Sequence, residues 1–140
     1  MTLTVAIITP EKALPLMEAD HVTVPVSEGE AGIRTGHAPY VALLKNGKVF
    51  VKSASKADAV FAVRGGVVQV FKDQVKILTE GVADPHQISE ADLLKRLEKL
   101  LAGTYEDPIE QLKAKAEAQW IATQLITAGK AVPDLSKLGV

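Results

Sequence analysis

The chain has 140 residues, 47% of them apolar, with 16 Lys and Arg against 17 Asp and Glu, and no cysteine. That length and apolar content allow one substantial core with a small appendage, and exclude disorder, collagen-like repeats and disulfide frameworks. The lack of cysteine removes thiol nucleophiles, Cys-ligated zinc and iron–sulfur clusters, while a net charge of −1 argues against a nucleic-acid binder, which needs a surplus of Lys and Arg on one face.

Fourteen valines lie in residues 1–84 and two, Val132 and Val140, in residues 85–140; leucine runs the other way, six against nine. Valine is stiff at χ1 and suits a pleated surface, whereas leucine loses little freedom in a helix. The first part therefore reads as strands and the second as helices. No apolar run approaches the roughly 20 residues that span a bilayer, and residues 1–10 lack the basic start and cleavage pattern of a signal peptide. The expectation is a soluble, unprocessed, cytoplasmic protein.

In chain order, Leu3, Val5 and Ile7 alternate with polar or small residues, and Val22, Val24 and Val26 do so again, which predicts two half-buried strands. Pro25 cannot donate to a ladder, so its strand is placed at an edge or beside a bulge. Asn46-Gly47 lies between Val41–Lys45 and Lys48–Lys52, a pattern that predicts a type I′ hairpin. Strands over Ala59–Val63, Val67–Phe71 and Val75–Leu78 follow, separated by Arg64-Gly65-Gly66 and Lys72-Asp73-Gln74. Short strands at such spacing predict an antiparallel sandwich or barrel.

The pattern changes near Asp84-Pro85. Ser89 reads as an N-cap with Glu90 in the first turn, and Leu93, Leu94, Leu97, Leu100 and Leu101 form one apolar face of a helix running to Ala102. Gly103 reads as a left-handed stop, and Asp107-Pro108 opens a second helix, about Pro108 to Ala128, giving an antiparallel hairpin. That helix has two stripes: Ile109, Leu112, Ala116 and Trp120, and opposite them Ala114, Ala118, Ile121 and Leu125. One reading packs it between its partner and the sandwich; the other reserves the second stripe for another subunit or another conformation. Residues 129–140 show no period and read as a loose, flexible tail.

Chemistry is sparsely offered. His21, His37 and His86 are far apart, with no His-x-x-x-His pair and no carboxylate cluster, so no metal site is expected. Arg64-Gly65-Gly66 joins two strands and reads as a tight turn, not a phosphate loop. There is no Gly-x-Ser-x-Gly elbow. The unusual segment is Ser27 to Tyr40, a structured loop with three glycines, two acids, Arg34, His37 and Pro39. His37 reads first as a hydrogen-bonded structural imidazole. Glu28 and Glu30 read as solvated acids that could also meet a basic loop of a partner.

At this loop the sequence resembles the epsilon subunits of F-type ATP synthases, called delta in mitochondria. That family carries Ser-Glu-Gly-Glu-x-Gly-Ile-x-x-Gly-His-Ala-Pro, and Ser27–Pro39 matches every fixed position. Gly65-Gly66-Val67-Val68-Gln69-Val70 stands where the family has a Gly-Gly strand entry, and the order of strands followed by two helices agrees to about residue 128.

The resemblance implies a sandwich of about ten strands, residues 1–84, followed by a helical hairpin, residues 85–128, in a rotor subunit at the foot of the central stalk. It implies no active site and no cofactor. Glu28, Gly29 and Glu30 would face the polar loops of the membrane c-ring, and Ile33, His37, Ala38, Pro39, Tyr40, Leu43 and Leu44 would form the rotor contact with the gamma subunit. The subunit would lie on the cytoplasmic face of the cell membrane, held there through the complex that couples proton or sodium flow to ATP synthesis. In bacterial members the hairpin folds against the sandwich or extends along gamma into the alpha/beta catalytic head, where it restrains ATP hydrolysis. Two departures bear on that. ATP-binding members carry Ile/Leu-Asp-x-x-Arg-Ala, whereas this chain has Ile88-Ser89-Glu90-Ala91-Asp92-Leu93; an anion replaces a phosphate-facing cation, so ATP binding is not expected. The second helix has Lys113 and Lys115 but no Arg, so weak inhibition, or inhibition through apolar contacts, is expected. Two other classes fit the composition: a free-standing β-sandwich ligand-binding module with a helical dimerisation hairpin, and a small hydrolase using His37 with a nearby acid.

Overall fold

In a computed structural model, which describes residues 2–140, the chain forms two compact units, Met1–Ala83 and Asp84–Val140. The first holds ten strands: β1 Leu3–Ile8, β2 Met17–Ala19, β3 His21–Val26, β4 Gly29–Arg34, β5 Tyr40–Leu44, β6 Gly47–Lys52, β7 Ala59–Val63, β8 Gly66–Phe71, β9 Gln74–Leu78 and β10 Val82–Ala83. They make one sheet, in the order β10-β7-β6-β3-β5-β8-β9-β1-β2, with β4 on β3. The alternating valines are the reason it folds over on itself. Val22, Val24, Val49, Val51 and Val63 from one arm and Leu3, Val5, Val68, Val70, Val75 and Ile77 from the other meet in a single buried cluster. Each such side chain contributes about 1.5–3 kcal/mol when fully removed from water.

Strand positions follow the alternation, but several pairings do not follow the turn signals. Asn46-Gly47 is not a hairpin: β5 pairs with β8 and β6 with β3 and β7, and neither Asn46 nor Gly47 has positive φ. Gly47 serves close approach instead, since a Cβ there would stand 2.7 Å from the Pro25 Cβ. The turn with two positive φ angles is Lys72-Asp73 (47° and 61°), which closes the β8–β9 hairpin between Phe71 and Gln74.

Pro25 is also not on a free edge. β3 pairs with β6 over His21–Thr23 and with β5 at Val26, and Pro25 sits where one partner gives way to the other, the place where a missing N–H costs nothing. Its carbonyl still accepts from the Lys45 N–H at 3.0 Å. The sheet is not wholly antiparallel, because β1 lies parallel to β9, Thr4 opposite Gln74 through Ile8 opposite Leu78.

The second unit is a hairpin of α1, Glu90–Ala102, and α2, Pro108–Thr127. Ser89 caps α1 by accepting from the Asp92 N–H at 3.3 Å, and Asp107 caps α2 from the Ile109 N–H at 2.8 Å, with Pro108 in the first turn. Leu93 and Leu97 pack against Ala118, Ile121 and Leu125, so the second stripe of α2 faces its partner helix, while Trp120 of the first stripe is buried as well, at 8% exposure. The exposed apolar residues of that helix lie elsewhere, at Ile109, Leu112 and Ile126.

Gly103 is extended (φ −73°, ψ 155°), not left-handed. A Cβ there would lie 2.6 Å from the Tyr105 hydroxyl, which donates to the Leu100 carbonyl at 2.9 Å, so Gly103 makes room for an aromatic that covers the helix end. α2 ends instead in a Schellman motif with Gly129 at φ +75°: the Gly129 N–H reaches the Ile126 carbonyl and the Lys130 N–H that of Leu125.

The segment after Gly129, read from sequence as a loose tail, packs. Leu135 is 5% exposed within the hairpin cluster, Val132 and Leu138 lean on it, and Ser136–Leu138 form a 3-10 turn. Three apolar anchors in an aperiodic segment can order it without giving a helical or strand pattern. The Lys137 ammonium donates to the Leu101 carbonyl.

Candidate interaction surfaces

The Ser27–Tyr40 segment is not a single loop. Gly29–Arg34 is strand β4, paired with β3 from Val26 opposite Gly29 to His21 opposite Arg34, and only Ser27 and Glu28 form the turn. Gly29 has φ +135°, which disfavours any other residue at the exit of that turn. Glu28 and Glu30 are both exposed, Glu30 beside Pro25 in the ladder, so the two carboxylates stand at one hairpin tip. Two like charges two residues apart at a hairpin tip repel, and a basic partner would relieve that.

The second half of the motif is a separate turn. The Gly36 N–H donates to the Asp73 carboxylate at 2.7 Å, and the His37 N–H to the Arg34 carbonyl at 3.1 Å. The His37 Nδ1 lies 2.7 Å from the Ala38 carbonyl, and its ring meets Tyr40 edge-on with centroids 5.6 Å apart. A carbonyl and an aromatic ring hold this imidazole, an arrangement that shapes a turn and gives no base–acid pair for hydrolysis. Ala38 and Pro39 are exposed beside it.

Two residues of the expected rotor contact turn inward: Ile33 is fully buried and Leu44 is 7% exposed, both in the core. Strand alternation explains this. Leu43, one residue from Leu44, points out and is 67% exposed, with Val41 at 69%. Register then carries an apolar row across the outer face: Leu43 pairs with Val67, Val67 with Leu78, and Leu78 with Ile8. Leu78, Val67 and Ile8 border a shallow depression of about 410 Å³ with Thr9, Pro10 and Gly66. Gly66 is required there, for a Cβ would fall 1.9 Å from the Leu78 carbonyl oxygen. Val67, Leu78 and Ile8 escape sequence reading because each lies on the outer side of its strand, and only the pairing order brings them together.

The acidic tip and the apolar row are neighbours. Val26 pairs with Leu44, which in turn pairs with Gly66, so the Ser27–Glu28 turn emerges alongside the Leu43 end of β5. The third expected group lies in the other unit. Ile88 is half-buried, Ser89 and Asp92 form the α1 cap, and Leu93 is buried. A phosphate at that helix end would meet Glu90 and Asp92 in the first turn. Arg96 pairs with Glu117 across the hairpin, an exposed ion pair of small energetic weight.

Comparison with known proteins agrees with the geometry. Residues 2–85 match the family model described as ATP synthase, Delta/Epsilon chain, beta-sandwich domain. The ATP synthase epsilon chain of Halalkalibacterium halodurans is 36% identical over 132 residues, covering 92% of this chain and 98% of the relative. That of a Synechococcus strain is 34% identical over 122 residues, covering 85% and 88%. In fold, the chain is similar to a subunit in the Euglena gracilis mitochondrial ATP synthase OSCP/F1/c-ring assembly (TM-score 0.73, 20% identity, 87% of this chain and 78% of that one). It is also similar to one in the Tetrahymena thermophila mitochondrial ATP synthase central stalk/c-ring (TM-score 0.61, 15% identity, 91% and 97%). With its sandwich matched end to end and two relatives matched over most of their length, the chain belongs to the delta/epsilon chain family of ATP synthases.

Proposed function

We propose that this chain is a non-catalytic rotor subunit of a proton- or sodium-translocating F-type ATP synthase, joining the gamma subunit to the c-ring. The observation that carries the reading is the apolar row Leu43–Val67–Leu78–Ile8 beside the acidic tip at Glu28 and Glu30. Leu43 and Leu78 are exposed and Val67 and Ile8 half-buried between and beside them, and such an apolar strip on a small sandwich marks a protein interface. The row fits an apolar helical partner such as gamma, and the tip fits basic or polar loops such as those of the c-ring. Ala38, Pro39 and Tyr40 extend the partner-facing surface at the far end of β5, while Ile33 and Leu44 support it from inside. No described helix is long and apolar enough to cross a membrane, so membrane attachment in this reading comes through the complex. The hairpin is the regulatory element of the proposal, able to act on the alpha/beta head. Its exposed Ile109 and Leu112 favour apolar over ionic contacts there.

Because the chain has no cysteine, a single thiol can be placed cleanly at Glu28→Cys. In the assembled enzyme this thiol cross-links to a cysteine in the c-ring loop, and one at Lys76→Cys, on an outward position of β9, does not. Equal cross-linking from both positions, or none from Glu28→Cys, contradicts the placement of the tip.

A further inference from the structure

At the end of β3 away from the acidic tip, three basic side chains stand in one cross-strand row. His21 is opposite Arg34 on β4 and opposite Lys52 on β6. Val22, Ile33 and Val51, their neighbours in sequence, are buried, so the three basic groups share the outer face. Opposed residues in a ladder have Cβ atoms about 4.5–5.5 Å apart, so Arg34 and Lys52, each opposite His21, stand two strand spacings apart, roughly 10 Å, within joint reach of their long side chains. Arg34 and Lys52 are exposed, and among the described residues neither side chain has a hydrogen-bond or ion-pair partner. The row borders a cavity of about 250 Å³ with Asp20 and Ala54. Asp20 accepts from the Ala54 backbone N–H and stays an anion at the rim of this cavity, so it offsets one of the two full positive charges, Arg34 and Lys52, and leaves the lining net positive. Gly32 leaves room for the imidazole: a Cβ there would lie 2.9 Å from the His21 Nε2, which fixes the ring over the strand.

We infer that this cavity is a binding site for a small phosphate-bearing anion, held by Arg34 and Lys52 with the His21 imidazole between them. The volume is below the roughly 300 Å³ at which pockets begin to enclose a drug-sized ligand, so the site takes a single phosphoryl group and leaves any larger portion in solvent. Arginine supplies a planar fork matched to two oxygens of such a group, and lysine a point charge on a third. The anion supplies the counter-charge that the lining lacks, where Asp20 alone stands against Arg34 and Lys52.

The test is a titration of the full chain with inorganic phosphate, followed by NMR at the His21 ring and at the backbone amides of residues 21, 34 and 52. Saturable shifts at all three positions are expected, and Arg34→Gln with Lys52→Gln weakens binding at least about tenfold. Both side chains are exposed, so the double variant keeps its fold, which the rest of its spectrum reports. Lys48→Gln, at a different point on β6, leaves the affinity unchanged. A linear drift without saturation, or equal affinity in the double variant, overturns the assignment. Binding to phosphatidylglycerol vesicles with none to free phosphate also overturns it, since the basic row would then serve a lipid surface and not a small anion.

Discussion

The Gly36 backbone N–H donates to the Asp73 carboxylate at 2.7 Å, and this bond ties the Gly-His-Ala-Pro turn to the β8–β9 hairpin, 37 residues further along the chain. Asp73 adopts φ +61° at its own turn, and its backbone carbonyl also accepts from the Thr4 N–H at 2.9 Å. One residue therefore holds the second half of the sequence motif, one hairpin and the start of β1 in fixed relation.

Asp73→Ala removes the charged acceptor and leaves a residue less suited to positive φ. The expected loss is about 1–2 kcal/mol, read from the denaturant midpoint of the full chain. Asp73→Asn keeps an acceptor and tolerates the same backbone, so it recovers most of that loss. If both variants unfold at the wild-type midpoint, the bond carries no weight.

Strands β1, β3 and β5 to β9 were legible in their apolar alternation, whereas β2 and β10 are too short to show a period; both helix starts were legible because Ser89 and Asp107-Pro108 are unambiguous caps. Pairing was not legible, for a physical reason: turn residues report local backbone needs, and here the glycine of Asn46-Gly47 answers to Pro25 across space. Lys72-Asp73 meets the same backbone demand with residues that signal it weakly, Asp73 being retained for its bond to Gly36. β4 was hidden by its two glycines and Glu30, a composition that signals a loop. The acidic pair was visible in the motif, whereas the apolar row needed the β1–β9 pairing, which no local pattern announces.

The tail is a structural part of the hairpin, so Leu135→Ala costs about 2–4 kcal/mol in that unit and lowers amide protection along α1 and α2. Asp134 supports the same turn: its carboxylate accepts from the Ser136 N–H at 2.9 Å, and that bond and the Ser136 hydroxyl hold its pKa below the ordinary 3.8. A depressed folded-state pKa contributes above the unfolded value and is lost as pH falls through the folded one. Hydrogen exchange at Ser136 therefore accelerates below the usual carboxylate range and not near neutrality. Unchanged protection of both helices in Leu135→Ala marks the tail as dispensable.

At the start of α1, the Ser89 hydroxyl is occupied in accepting from the Asp92 backbone N–H, and Glu90 and Asp92 place negative charge where a phosphate would sit. Calorimetric titration with ATP is expected to give no saturable heat below about millimolar. Ser89→Asp with Asp92→Arg restores the family's acid and cation, and a gain of binding in that variant ties the absence to these two positions. Saturable micromolar binding by the unaltered chain refutes the charge argument.

The central claim is that the outward apolar row binds gamma, and the most direct measurement is the affinity of the purified chain for its gamma subunit with Leu43→Asp, set against Lys48→Gln. Leu43 is 67% exposed, so the substitution spares the core. A buried interface anchor predicts a loss of about 2 kcal/mol or more, roughly 30-fold in dissociation constant, with the Lys48→Gln protein unchanged. Equal affinity of the Leu43→Asp and unaltered proteins would place gamma elsewhere and contradict the account.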